Sequence, residues 1–412
     1  MNFRTYGGLM EAVAIIAEFN PFHTGHAYLI RQVRRLSGTD AAIVVIMSGA
    51  FVQRGEPAFF DKWHRAAWAI EGGADAVIEL PAVYALSSAS GFALGGVTLA
   101  ARLGCQSLAC GVEAGTAEDF LSLARRADTL EIGPETAKKG SAGQARTDAL
   151  MAAAPDEARL LEQPNALLAF EYARALLKQE RPLSFLPLPR QGRHDDTGLG
   201  ATFASASALR QAMTDHPGDG KPYISYIVER VRPSLQDQLT LGAFTDYRRY
   251  GDFVAGQNRL LTPDQLRRLP AFTEGLENRW YRAFAEAGDY DQALKLIKTR
   301  RYAYSRLCRM GAYTLLQPSR RLMDQSYEAG PQYARLLALN GRGAAFLKGA
   351  RDKLAVITKI RQDLSKLTPL GREQLALDLR ASDVQSFCFS KENQRKGHQD
   401  YYHSPIFTGI QK

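Results

Sequence analysis

His23 and His26 stand on either side of Gly25 in the run Ile15-Ile16-Ala17-Glu18-Phe19-Asn20-Pro21-Phe22-His23-Thr24-Gly25-His26. The residues before it, Ala12 to Ile16, are apolar and rich in β-branched side chains, the pattern of a buried strand. Those after it, Ala27 to Val33, carry helical apolar spacing. The histidines therefore straddle a strand-to-helix turn. A helix start offers unpaired N–H groups and the positive end of the helix dipole, a ready seat for phosphate. Gly25 leaves the backbone bare where a ligand must approach closely. Two imidazoles beside it donate hydrogen bonds that strengthen as charge builds on a pentavalent phosphorus. A bare His-x-x-His also fits a metal pair, but the order of strand, Asn-Pro turn, His-Thr-Gly-His and amphipathic helix favours chemistry at the α-phosphate of a nucleotide.

This arrangement resembles the nucleotidyltransferase superfamily, whose His-x-Gly-His signature it carries. The wider wording Ala17-Glu18-Phe19-Asn20-Pro21-Phe22-His23 is similar to the bacterial tRNA(Met) cytidine acetate ligase family. That resemblance implies a two-step activity. ATP and acetate give acetyl-adenylate and pyrophosphate, and the acetyl group then passes to N4 of the wobble cytidine of elongator tRNA(Met). It implies His23 and His26 as catalytic residues, with Mg²⁺ on the phosphates and no metal ligated by the protein. ATP would be bound by Ile16, Ala17, Glu18, Phe19, Asn20, Pro21, Phe22, His23, Thr24, Gly25 and His26.

The supporting elements follow in chain order. Ala41–Met47, Ala76–Pro81, Ser107–Gly111 and Leu183–Leu188 read as further strands. Helices at Asp61–Ile70, Ser88–Leu103, Thr116–Ala127 and Gly143–Ala154 alternate with them. This is the rhythm of an α/β fold, a Rossmann-like nucleotidyltransferase domain with a parallel sheet, over residues 11–220. Residues 1–10 read as an N-terminal extension, with Met10 an alternative start. In such sheets ligands gather beyond the carboxyl ends of the strands.

Gly111, in Gly111-Val112-Glu113, offers bare backbone to a ribose or base. Asn165, after Pro164, reads as a helix cap; the resemblance instead assigns it to ATP. Arg190, at the end of the last strand, suits a phosphate, which a guanidinium grips in two places. Arg193 stands where the family often has an aromatic residue before His-Asp. Ser205, Ser207 and Arg210 open a helix and suit the β- and γ-phosphates, either as caps or as phosphate ligands.

From about residue 221 the strand rhythm stops, and 221–412 reads as a mainly helical, basic domain. Its most basic part, Lys295 to Arg309, read as one helix, sets Lys298, Arg301, Tyr302, Ser305 and Arg309 on one side. With Arg300 and Arg306 this stripe suits an RNA backbone and an unstacked base. The formal charge of +9 agrees with a polyanionic partner, here tRNA rather than DNA.

Four cysteines lack paired zinc spacings and read as reduced thiols. No apolar run spans a bilayer and no secretion signal precedes the first strand, so no membrane partner and a cytoplasmic location are expected. Two rival readings remain. One is a nucleotidyltransferase acting on a phosphorylated small metabolite. The other is a non-catalytic RNA-binding protein on the same scaffold.

Overall fold

The computed structural model describes residues 10–130, 142–190, 205–299, 302–350 and 354–408. Strands β1 (Ala12–Ala17), β2 (Ala42–Ser48), β3 (Ala76–Leu80), β4 (Ser107–Val112) and β5 (Ser184–Pro189) form where the apolar runs place them. All pair in parallel, in the order β5-β4-β1-β2-β3. Both faces of the central strands are buried, which is why they read as continuous apolar runs rather than alternating ones. Ala12, Ala14 and Ile16 face a core shared with the helices Ala89–Leu103 and Pro164–Leu177, while Val13 and Ile15 face the helices Thr24–Ser37 and Lys62–Glu71. Pro187 and Pro189 are tolerated because β5 is an edge strand, with one side free of ladder partners.

The chain moves outward from β1 through β2 to β3, then crosses back to lay β4 on the other side of β1. Strand order reverses between β1 and β4. At such a point the two flanking loops diverge and leave a crevice.

The expected end of strands near residue 221 does not hold. Strand β6 (Tyr333–Leu339) pairs antiparallel with β3, and β7 (Ala355–Ile357) and β8 (Ile406–Phe407) pair with β6, completing an eight-stranded mixed sheet. The pattern of β6 is obscured by Arg335 at its centre and by helix-favouring Ala and Leu. Arg335 is nevertheless only 3% exposed. Its Nη2 lies 2.7 Å from Asp400 and its Nε 3.6 Å from Glu79 of β3, while Lys62 reaches the same carboxylates at 2.7 and 2.8 Å. Two cations and two anions thus compensate one another, which is what permits charge inside the sheet.

The basic stretch is also not one helix. The helix Tyr290–Ile297 ends at Lys298, and a second helix, Tyr304–Leu316, starts after Ala303.

Candidate nucleotide-binding and catalytic site

At the β1/β4 switch point lies a cleft of about 540 Å³, within the range of ligand sites. The turn after β1 builds its floor. Phe19 has φ of +48°, a left-handed conformation that is costly for a bulky residue. Packing holds it there, with its ring edge-on to Phe22 at 5.0 Å and 4.8 Å from the His26 ring. Asn20 accepts from the Phe59 N–H at 2.7 Å, and the Asn20 carbonyl accepts from Arg210 at 2.8 Å.

Beneath the turn is Arg65, fully buried. Its guanidinium donates to the carbonyls of Glu18 (2.6 Å), Ser48 (3.1 Å), Phe60 (3.0 Å) and Gly49. One side chain so ties the carboxyl ends of β1 and β2 to the start of the helix Lys62–Glu71. Burial lowers its pKa to about 10, leaving it charged at neutral pH. Sequence reading misses Arg65, because its role exists only once three segments converge.

His23 is the N-cap of the helix Thr24–Ser37, and with His26 it forms a capping box. Nδ1 of His23 accepts from the Gly25 N–H at 3.0 Å, and Nδ1 of His26 accepts from the His23 N–H at 3.3 Å. An imidazole that accepts through Nδ1 carries its proton on Nε2. The rings stack at a centroid separation of 3.7 Å. Burial, with Arg190 nearby, lowers the pKa of His23 to about 3; burial, then His23 and Arg190, push that of His26 well down. At neutral pH the site therefore offers two neutral rings lining the cleft, and among the described residues no hydrogen bond engages either Nε2–H.

The other predicted nucleotide residues gather around them. Ile16, Ala17, Glu18, Phe19, Asn20 and Gly25 line the cleft, as do Gly111, Asn165, Arg190, Ser205, Ser207 and Arg210. Pro21, Phe22 and Thr24 do not, and Phe22 is wholly in the core.

Asn165 is not a helix cap. It sits inside the first turn of Pro164–Leu177, accepts from Arg190 at 3.2 Å and donates to Glu113 at 2.5 Å. Gly111 is needed for close approach, though of a side chain: a Cβ there would lie 2.9 Å from Cγ of Arg190. Ser205 caps the helix Ala206–Asp215, and Arg210 lies 3.2 Å from Glu56 and 3.4 Å from the Ser207 hydroxyl.

Among the described cations of the basic stretch, Arg309 alone lines the cleft, with Ala303 and Ser305 beside it; its Nη1 donates to the Gln53 carbonyl at 3.1 Å. Lys298 is exposed. Tyr302 is 8% exposed, with the Arg306 guanidinium 5.4 Å over its ring, so it presents no open face to a base. Arg300 and Arg301 lie outside the described residues. So does Arg193.

Two further features bear on chemistry. Burial raises the Cys110 thiol to about 12, so it stays protonated and is no nucleophile. Among the described residues no group of three or more His, Cys, Asp or Glu is placed to hold a metal. Likewise, among the described residues, no helix is long and apolar enough to cross a membrane.

A parallel sheet with a switch-point cleft and paired histidines capping the first helix defines a nucleotidyltransferase of the His-x-Gly-His class, and the family described as HIGH Nucleotidyl Transferase matches residues 10–400. Among curated relatives, the tRNA(Met) cytidine acetate ligase of Syntrophomonas wolfei is 34% identical, over 96% of this chain and 99% of its own length. That of Thermotoga maritima is 32% identical, over 95% and 99%. A crystal structure of Thermotoga maritima TmcAL bound with alpha-thio ATP superposes with a TM-score of 0.89 at 30% identity, covering 97% of this chain and all of that one. The chain belongs to the tRNA(Met) cytidine acetate ligase family.

Proposed function

We propose that this protein activates acetate with ATP and transfers the acetyl group to N4 of the wobble cytidine of elongator tRNA(Met). The observation that carries the reading is the pair of neutral imidazoles, fixed as Nε2–H donors, in a cleft that also holds Arg190, Ser207 and Arg210. An acetate oxygen attacks the α-phosphorus and pyrophosphate departs. The cytidine amine then attacks the acyl carbon, AMP leaves, and the amine gives up a proton. His23 and His26 hold the equatorial oxygens as negative charge grows. Ser205, Ser207 and Arg210 hold the departing pyrophosphate, and Arg190, steered by Asn165, meets the nucleotide. No enzyme-bound covalent intermediate is needed.

Among the described residues, the carboxylates near the cleft are each engaged. Glu18 accepts from the Gln53 N–H at 2.8 Å, Glu56 pairs with Arg210, and Glu113 holds Asn165. That donor set fits Mg²⁺ carried mainly by phosphate oxygens and water, the usual habit of this ion. Mg²⁺ bound in this way would neutralise triphosphate charge.

Residues 11–220 serve as the ATP-binding, catalytic part, beginning after the extension 1–10, and 221–412 as the part that recognises tRNA. Lys298 and Arg306 are its proposed contacts, with Arg300 and Arg301. The working compartment is the cytoplasm.

Acetate-dependent exchange of labelled pyrophosphate into ATP, without tRNA, tests the first step; N4-acetylcytidine formation on tRNA tests the second. Turnover only with a phosphorylated metabolite, or RNA binding without any turnover, would replace this reading with one of its rivals.

A further inference from the structure

Beside the nucleotide cleft opens a second cavity of about 280 Å³, and the two share Ser88, Ser90 and Glu171 as a common wall. Its other walls bring Arg146, Arg174, Lys178 and Tyr327 together. The three cations face two carboxylates. Arg174 is engaged internally, 2.9 Å from Glu171 and 3.1 Å from Asp128. Arg146 shares Asp128 at 3.1 Å and keeps a quarter of its side chain exposed. Lys178, exposed at the end of the helix Pro164–Leu177, adds the remaining charge.

Tyr327 supplies the flat surface. A Cβ on Gly91 would meet its ring at 3.2 Å, so the ring lies against bare backbone in the first turn of the helix Ala89–Leu103. Its hydroxyl is tied to Ser87.

At the junction stands Arg309, which lines the nucleotide cleft and whose charge is felt by the Tyr327 hydroxyl. Burial lowers its pKa, and among the described residues no carboxylate forms an ion pair with it; its bonded partner is the Gln53 carbonyl. A guanidinium held in this way is poised for an anion that arrives from outside.

We propose that this side cavity seats one nucleotide of single-stranded RNA, the neighbour of the nucleotide that enters the main cleft. Its base rests on Tyr327, and its flanking phosphates meet Lys178 and Arg146 at the mouth and Arg309 at the junction. The inference rests on the functional reading above and names where the acceptor RNA enters. An acceptor base can reach an acyl-adenylate in the main cleft only if the strand on either side of it is laid along the rim. Cations spaced around an aromatic ring are what an unstacked RNA nucleotide requires. A free phosphate would use the cations and leave the ring without a role.

The test is fluorescence anisotropy with a labelled anticodon-arm RNA hairpin across a salt series, with melting midpoints to confirm folding. Lys178→Glu and Arg146→Gln should each weaken binding about five- to tenfold and flatten the salt slope by roughly one for each phosphate no longer neutralised. Tyr327→Leu should weaken it about tenfold, and Tyr327→Phe, which keeps the ring, should bind like the parent. Parental affinity and salt slope in Lys178→Glu and Arg146→Gln would overturn the proposal. Lys178→Glu, a surface change, carries the test even if Tyr327→Leu fails to fold. If the parent protein proves inert toward acetate while these variants still lose RNA affinity, the acetate reading falls and the site stands.

Discussion

The main-chain N–H of His23 donates to Nδ1 of His26, and the N–H of Gly25 donates to Nδ1 of His23, so each ring proposed as catalytic is also part of a helix cap. Substitution therefore acts on two quantities that separate experimentally. His23→Ala removes an Nε2–H donor and a cap acceptor. We expect pyrophosphate exchange to fall about 10²- to 10³-fold and stability to fall by about 1 kcal/mol. His23→Asn restores an acceptor for the capping N–H, so stability should recover while exchange stays low. Recovery of exchange with the cap would show that His23 is structural.

The same geometry fixes a pH dependence. Burial first, and then the nearby Arg190 charge, lower the His23 pKa to about 3 in the fold against an ordinary 6.5. Because the folded pKa is depressed, the unfolded chain binds the extra proton first. The stabilising contribution is complete above pH 6.5 and is lost as pH falls from there toward 3. The rate of exchange should show no histidine limb between pH 6 and 8. A limb centred near 6.5 would mean that the rings work as cations.

Gly111→Ala places a Cβ 2.9 Å from the Arg190 chain, a flexible neighbour that can swing aside. The protein should fold with a melting midpoint close to the parent. Displacing Arg190 breaks its bond to Asn165, and KM for ATP should rise roughly tenfold, the scale of one charge-assisted hydrogen bond. An unchanged KM would remove Arg190 from the nucleotide.

The parts of the site readable in the sequence are those whose geometry is local. His23, Gly25 and His26 act within one turn, and Ser205, Ser207 and Arg210 within another, so spacing alone carries their relationship. Strands β1 to β4 are equally readable, because burial on both faces leaves a mostly apolar run. Arg65 and Arg309 carry no such signal for the cleft, since each matters through carbonyls contributed by distant segments. Strand β6 escapes for a related reason: the charge at Arg335 looks incompatible with a sheet interior until Asp400 and Glu79 are brought to it.

Arg65 offers a test of how the turn is held. Arg65→Met conserves bulk but leaves the carbonyls of Glu18, Ser48, Gly49 and Phe60 without their donor. At about 1–3 kcal/mol for each buried group left unsatisfied, partly offset by water entry, a net loss of about 3–5 kcal/mol is expected. Urea midpoints would read it, and a drop below about 1 kcal/mol would show that the carbonyls find other donors.

The buried cluster of Lys62, Glu79, Arg335 and Asp400 gives the last prediction, because it links β3 to β6 and to the segment carrying β8. Removing a single charge leaves its partners uncompensated in a site where Lys62 and Asp400 are 2% and 3% exposed. Lys62→Met should therefore cost about 3–5 kcal/mol. Asp400→Asn should cost a similar amount, for it leaves Lys62 and Arg335 without the carboxylate that both approach at 2.7 Å. The double variant Lys62→Met with Asp400→Asn keeps one cation and one anion, so it should be more stable than the sum of the single losses by roughly 1–3 kcal/mol. Chemical denaturation of the four proteins closes this cycle. Strict additivity would mean that Lys62 and Asp400 stabilise the sheet independently and that their 2.7 Å contact contributes nothing of its own.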